Sequence, residues 1–415
     1  MMEQNIINEV FLDQVGAVTN RETGIKRDID TSKALSTKQI VIISGIRRTG
    51  KSTLMRQLMK SYDDFCFLNF DDERLINFEV EDFQTLMLIF KKYNNSKVVF
   101  FDEIQNIYGW ERFIRRIFDE GYKIFITGSN AKLLSSELGT HLSGRYIKIE
   151  LFPFSFIEVL NYNKVNYKIL SSNNKAKVLS LFDGYLNNGG FPEFIKYKDD
   201  EFLKRVYEDI IYKDLIARYQ IRNIKQFKNL SQYLFTNFTG ELSYNSLRIA
   251  LGIKSTNTAM EYVSFLEESY LLFELYKYDY SLKKQYISNK KIYAIDNGVR
   301  NKISFRFSDD RGKLLENLVF IELKRRQKEI YFFKTKNNRE IDFIYYDDGK
   351  FVLIQVAYSL ADYKTKEREV KAIVEANKTI NNTNNIILSY NEKDILEIDG
   401  VKIEIVPIWE WLLMR

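Results

Sequence analysis

The sequence predicts an α/β protein. A doubly wound, mainly parallel sheet over residues 36–155 comes first, then a helical stretch, a helix-turn-helix element and a second α/β domain. Three observations lead there. Between Lys38 and Leu151 short apolar runs alternate with segments of helical spacing, the pattern of parallel strands joined through helices. One run, Ile40–Ser44, opens into a loop bracketed by Gly45 and Gly50 that leads into a helix. Another, Val98–Phe101, ends in two adjacent carboxylates, Asp102 and Glu103.

Taken in order, residues 1–35 are polar, with a helix expected over Ile6–Val15 and a charged loop after it. Residues 36–155 carry expected strands at Ile40–Ser44, Phe65–Phe70, Val98–Phe101, Lys123–Thr127 and Tyr146–Leu151. Helices fall over Leu54–Tyr62 and around Trp110–Asp119. Residues 156–225 read as a helical lid, interrupted by the turn Asn187-Asn188-Gly189-Gly190 before Phe191-Pro192. Over 226–282 two helices meet at Leu251-Gly252-Ile253, the helix-turn-helix arrangement. Residues 283–415 hold a helix at Leu314–Arg326 and strands at Ile330–Thr335, Glu340–Tyr346 and Phe351–Val356. A helix over Thr365–Ala376, a strand at Ile386–Ser389 and the closing segment Val406–Leu413 follow.

Composition narrows the chemistry. Cys66 is the single cysteine and His141 the single histidine, which excludes disulfide frameworks, thiolate zinc clusters and histidine-based triads. What remains is chemistry on carboxylates, lysines, arginines and a metal held by oxygen. The net charge of +6, from 62 basic and 56 acidic residues, permits nucleic-acid binding without arguing for it. No apolar run reaches the roughly 18–20 residues of a membrane span, and no signal-peptide pattern opens the chain, so a cytoplasmic location is expected.

Gly45-Ile46-Arg47-Arg48-Thr49-Gly50-Lys51-Ser52 fits the phosphate-binding loop G-x-x-x-x-G-K-[ST] in its required strand-to-helix context. Glycines let the backbone close on phosphate oxygens, and successive N–H groups at the helix N-terminus supply positive potential. Lys51 should reach the β- and γ-phosphates of a nucleotide, Ser52 should ligate Mg²⁺, and Thr53 should add a backbone contact. Asp102 should hold the Mg²⁺ through water, and Glu103 should polarise the attacking water. After the strand Lys123–Thr127, the residues Thr127, Ser129 and Asn130 are candidates to sense the γ-phosphate. Arg145, in Ser143-Gly144-Arg145, is a candidate to contact the nucleotide in its own subunit or a neighbour's.

Together, GIRRTGKST, FFDEIQN, ITGSNAKLLSSELGTHLSGRYIKIELFPFSF and GGFPE resemble the prokaryotic AAA-type ATPases related to archaeal ATPases and STAND-type switch ATPases. The resemblance runs over nearly the whole chain after residue 35. It implies ATP as ligand, Arg145 as the family arginine, and an ATPase core followed by a lid, a winged helix and a degenerate nuclease-like domain.

In the winged-helix-like segment Lys254, Ser255, Thr256 and Asn257 open the second helix, whose outer face is expected to carry Glu261, Glu267 and Glu268 and so to repel phosphates. Lys283-Lys284, Lys290-Lys291 and Lys324-Arg325-Arg326 are candidate phosphate-tracking clusters. From Leu314 the chain resembles a PD-(D/E)XK nuclease with Glu316 and Asp342 in place. Gln355 and Ala357 stand where an acid and the lysine would fall, so cleavage is not expected; Lys364 is a conceivable replacement lysine. The expected function is an ATP-hydrolysing switch whose C-terminal half binds DNA or a protein partner, with an ATP-dependent DNA-processing nuclease or defence effector as the alternative. Oligomeric state is left open.

Overall fold

Four apolar residues in a row, Ile40–Ile43, without alternation, suit a strand covered on both faces, and β1 (Ile40–Ser44) is buried along its whole length. In this computed structural model, which describes residues 1–94, 96–128, 142, 144–168, 171–305 and 310–414, β1 is an interior strand of a five-stranded parallel sheet. The others are β2 (Cys66–Asn69), β3 (Val98–Asp102), β4 (Lys123–Gly128) and β5 (Tyr146–Glu150), in the order β2-β3-β4-β1-β5. The strand β4 thus lies between the loop-bearing β1 and the acid-bearing β3.

Successive side chains on each strand serve different layers. Ile40, Ile42, Val99 and Phe101 join a core with Ile7, Val10 and Phe11 of α1 (Gln4–Asn20), Phe83 and Phe90 of α4 (Asp82–Tyr93), and Trp110 and Ile114 of α5 (Trp110–Asp119). Val41, Ile43, Phe100 and Phe125 face the other way onto Leu54, Met55 and Leu58 of α3 (Lys51–Met59) and Ala34 of the short α2 (Ser32–Ser36). Gln14 of α1 bonds both backbone groups of Asn69, donating to its carbonyl at 3.1 Å and accepting from its N–H at 2.7 Å. That covers the exposed edge at β2.

The chain divides into two compact units, Met1–Phe152 with Glu268–Tyr270, and Pro153–Glu267 with Leu271–Arg415. The second unit begins with helices at Phe156–Tyr162 and Ser172–Asn188, and the GGFPE stretch follows. Here the carboxylate of Asp296 accepts N–H bonds from Gly190 (2.7 Å), Gly298 (2.8 Å) and Val299 (3.1 Å). A Cβ on Gly189 would lie 1.9 Å from that carboxylate, so only glycine fits. Burial pushes the Asp296 carboxyl up to about 6, against those N–H donors.

Further on, helices Ile224–Thr236, Tyr244–Ala250 and Thr256–Glu268 accompany an antiparallel sheet of β6 (Glu241–Leu242), β8 (Lys290–Ala294) and β7 (Leu272–Leu275). The third strand therefore comes after residue 282. A six-stranded mixed sheet follows, ordered β13-β14-β12-β11-β10-β9. Its strands are β9 (Tyr331–Lys334), β10 (Glu340–Asp347), β11 (Lys350–Ala357), β12 (Thr383–Ser389), β13 (Asp394–Ile398) and β14 (Val401–Pro407). Val370, Ile373 and Val374 of the helix Tyr363–Ala376 pack on Ile341, Leu353, Ile387 and Ile405. Tyr293 of β8 stacks on Phe320 of the helix Arg311–Arg325 at 4.1 Å.

Candidate nucleotide site and the carboxylate cluster

The parallel sheet places the ends of β1, β3 and β4 on one edge, and the polar residues gather there. Gly45 follows β1 with φ +148, and a Cβ would meet the Leu151 carbonyl oxygen at 2.2 Å, so the tight exit from the strand requires glycine. Thr49 closes the loop by donating its hydroxyl to the Ile46 carbonyl at 2.8 Å, and Gly50, at φ +92, turns the chain into α3. Arg47 is half-buried and Arg48 exposed at φ +68. The Lys51 ammonium is buried and donates to the carbonyls of Gly45 (3.2 Å) and Ile46 (3.3 Å). Thr53 accepts from Arg56 at 3.0 Å. The first turn of α3 presents its N–H groups and positive dipole end beside this ammonium, an anion-binding arrangement.

Asp102 ends β3, buried. Burial and the neighbouring Glu103 raise its carboxyl above the ordinary range, while hydrogen bonds from Thr127 and Ser52 and the Lys51 charge pull the other way. Thr127, on β4, donates its hydroxyl to Asp102 and accepts the Glu103 backbone N–H at 2.9 Å. Glu103 takes the left-handed conformation at φ +53, a strained choice for a non-glycine residue, and its carboxylate receives the Gln105 side-chain amide. The donor set of Ser52 and Asp102 is all oxygen, which fits magnesium rather than a softer metal. Among the described residues no three acidic, histidine or cysteine side chains could hold a metal on their own, so nucleotide phosphates would have to complete the shell.

Not every expected residue arrives here. Asn130, Ser129, Ser143 and His141 lie outside the described residues. Thr127 is present, its hydroxyl tying the Asp102 carboxylate to the Glu103 backbone N–H. Arg145 precedes β5 at the opposite edge of the sheet: its carbonyl accepts from Ile40 at the start of β1, and its guanidinium lies 3.9 Å from Asp119 at the end of α5. Five strand residues, about 16 Å, separate it from its own loop.

Three residues not singled out in the sequence support the site. Arg27, buried, donates to the carbonyls of Thr49 and Phe152, both at 2.8 Å. Gln57 of α3 donates to the carbonyls of Thr23 (2.8 Å) and Ile25 (2.7 Å), pinning the same segment. Tyr270, at φ +63, donates its hydroxyl to Ser44, the last residue of β1, at 2.9 Å. Cys66 is buried in β2, its thiol pushed up to about 12, which leaves it inert.

The second unit holds a different polar cluster. Lys291 of β8 is buried, and its ammonium lies 2.7 Å from Glu316, 2.8 Å from Glu340 and 3.7 Å from Asp342. Tyr293 donates its hydroxyl to Glu316 at 2.7 Å. Asp342 falls in a β-bulge between Ile341 and Ile344 and accepts the Val356 N–H at 2.8 Å. Gln355 is buried, accepting from the Asp342 N–H at 2.8 Å and donating to Glu369 at 2.7 Å. Burial alone would lower the Lys291 ammonium, but Glu316, Asp342 and Glu340 outweigh it and hold it charged. Burial and Glu316 raise the Asp342 carboxyl. Ala357 is buried and Lys364 exposed.

Two expectations about charge are corrected. Glu268 is buried, and Glu267 turns in to accept the Glu274 N–H at 2.6 Å, leaving Glu261 as the exposed acid of the three. Of the basic clusters, Lys290 and Lys291 are buried, Arg325 and Arg326 bind Glu322, and Lys283-Lys284 stays exposed. Among the described residues, no helix is long and apolar enough to cross a membrane.

Family comparisons agree with the geometry. Residues 37–160 match the model of an AAA domain, residues 179–310 a domain of unknown function, DUF8612, and residues 311–411 another, DUF4143. The first unit is therefore an AAA-type P-loop ATPase domain. Along its whole length the chain is 38% identical to the uncharacterised protein MJ1544 of Methanocaldococcus jannaschii, covering 96% of that protein. It is 30% identical to an uncharacterised protein of Haemophilus influenzae over 90% of this chain and 94% of that one. The chain belongs to the family of these two proteins. Looser likenesses in solved structures include AMPPCP-bound DnaA from Aquifex aeolicus, with 14% identity, TM-score 0.29, and 63% of this chain and 88% of that one covered. The RuvB Holliday junction branch migration motor of Thermotoga maritima gives 16% identity, TM-score 0.29, and 65% and 89%.

Proposed function

We propose that the first unit hydrolyses ATP with magnesium, by in-line attack of water, and that the second unit holds DNA or a protein partner. The observation that carries the first part is the Thr127 bridge, which fixes Asp102 and Glu103 on the sheet edge where Lys51 and Ser52 also lie. In this reading Lys51 leaves its carbonyl partners for the β- and γ-phosphates, and the N–H groups of Gly45–Thr53 wrap the remaining oxygens. Ser52 and Asp102 would hold magnesium, which when bound neutralises charge on the transferring phosphoryl group. Glu103, held by Thr127 and Gln105, accepts a hydrogen bond from the attacking water and orients it. Arg145 enters only as a contact to the nucleotide of a neighbouring copy.

For the second unit, the order helix–β6–helix–helix–β7–β8 supports a winged helix, and helix–β9–β10–β11–helix–β12 supports a nuclease-like core. The Lys291 ammonium among Glu316, Glu340 and Asp342 supports a core that does not cut, because it sits where a catalytic cation would be needed. The DNA-cleaving alternative is therefore not the favoured one.

Calorimetric titration with Mg-ATP tests the core of the proposal. Lys51→Ala should bind about 100-fold more weakly than wild type, the loss of charged contacts worth on the order of 3 kcal/mol. Equal affinity in the two proteins would refute it.

A further inference from the structure

Outside both polar clusters, the second unit contains a groove of about 660 Å³, a size that takes small ligands. Its walls come from the helix Phe202–Asp209, the wide π-helical turns Ile210–Ile216 that continue it, the helix Ile224–Thr236 and the end of the helix Asn297–Ile303. Four lysines line it, Lys204, Lys225, Lys228 and Lys302, against one carboxylate, Glu208. Further acids engage two of them from the rim: Asp200 pairs with Lys302 at 2.8 Å, and Glu201 lies 3.9 Å from Lys204. Lys228 instead donates to the Tyr212 hydroxyl at 2.8 Å, its ammonium 5.0 Å from the ring centroid. Tyr212 stands on the π-helical turn and is 43% exposed, leaving ring surface open to the groove. Runs of π-helix are rare and cluster at functional sites.

We propose that this groove binds the phosphates of a nucleotide or of a single nucleic-acid strand, with Lys225 and Lys228 as the main cationic contacts and the Tyr212 ring as a platform for one base. Lysines as point charges suit phosphates approached from several directions, and base stacking on an aromatic ring tolerates any sequence. The inference deepens the reading that the second unit holds a macromolecular partner, and rests on it. It does not depend on ATP hydrolysis.

The test uses the full chain carrying Lys51→Ala, so that the P-loop does not compete, and a fluorescent dT10 oligonucleotide followed by anisotropy at several salt concentrations. The parent should bind with affinity that falls as salt rises. Lys225→Glu with Lys228→Glu should weaken binding at least tenfold, and Tyr212→Ala about fivefold or more. Lys225→Gln with Lys228→Gln, a milder change, should show the same direction. Both lysines lie at the surface, and unaltered thermal unfolding would confirm an intact fold. Pyrophosphate or ADP bound without the oligonucleotide, and lost in the double variant, would support the site with a free nucleotide as its source. Oligonucleotide binding unaltered in the double variant would overturn this groove while leaving the broader partner reading standing. Equal competition by polyglutamate would also overturn it, because the site would then recognise acidic peptide.

Discussion

At the edge of the parallel sheet the Lys51 ammonium rests on two backbone carbonyls; in the second unit the Lys291 ammonium rests on carboxylates at 2.7 and 2.8 Å. Both lysines are buried and both have acids nearby. Their partners set them apart. A carbonyl is a neutral acceptor that an incoming phosphate can replace at small cost, and Asp102 keeps hydroxyl partners suited to a metal shell. Glu316 and Glu340 instead hold Lys291 by charge within the fold, so a ligand would have to displace carboxylates rather than neutral carbonyls. One set of residue types thus builds an open site in one unit and a closed one in the other.

Two substitutions bear most heavily on this contrast. Glu103→Gln keeps the size and most hydrogen bonds of the side chain but removes the base that orients water. ATP turnover should fall by about 100-fold or more with affinity held within a few fold. Unaltered turnover would remove Glu103 from the open site. Lys291→Ala leaves buried carboxylates without their cation and should destabilise the protein by about 3–5 kcal/mol, while Mg-ATP affinity changes little. The sign with pH follows from the raised Asp342 carboxyl, which without Lys291 rises further. A carboxyl that is raised in the fold stabilises it when protonated, so the deficit of the variant should be smaller at pH 5 than at pH 8. A deficit independent of pH would mean that lost packing, not charge, explains it.

The open site was largely legible in the sequence, and the closed one was not. β1, the loop and β3 are local: apolar runs of strand length, two glycines at fixed spacing, and a carboxylate pair at a strand end. Those signals survive any tertiary arrangement. Lys291 meets Glu316 and Glu340 across 25 and 49 residues, and no spacing rule announces such a pairing. Arg27 reaches Thr49 and Phe152 across 22 and 125 residues, equally out of sight. Glu267 and Glu268 were assigned to an outer face because helical spacing gives a face without saying which side is buried. The hairpin of β13 and β14 was missed although its signal was present: Asp399-Gly400, both at positive φ, sits between alternating apolar residues.

Arg27 sharpens the open side of the comparison. Its two bonds hold the loop at Thr49 and the end of the strand region at Phe152, so Arg27→Ala leaves buried carbonyls with fewer partners. A loss of about 2–3 kcal/mol in stability is expected, with Mg-ATP affinity weakened about tenfold. Lost stability with unchanged affinity would make Arg27 a general staple rather than a support of the loop.

The smallest expected effect tests the rule that a buried carboxylate needs a cation in contact. Among the described residues Glu267 makes no ion pair: it accepts the Glu274 N–H, the Glu274 carboxylate is itself held by the Tyr244 hydroxyl, and Lys324 and Lys290 act on Glu267 less than burial and Glu274 do. Lys290 lies over the rings of Tyr244 and Tyr276, each at 5.0 Å, while Lys291, next in the strand, faces the carboxylates of Glu316 and Glu340. Burial, with Glu274, pushes the Glu267 carboxyl up to about 7. Its protonated form is the one the fold prefers, so its contribution is fully present below about 4.5 and is lost as pH rises through about 7. Allowing for partial exposure, the loss is about 2 kcal/mol. Glu267→Gln retains an oxygen to accept the Glu274 N–H and carries no charge. Urea unfolding should therefore show the variant more stable than wild type at pH 8 and equal to it near pH 4.5. An advantage of the same size at both pH values would mean that the glutamine gains by packing, and that this carboxylate is not the uncompensated one.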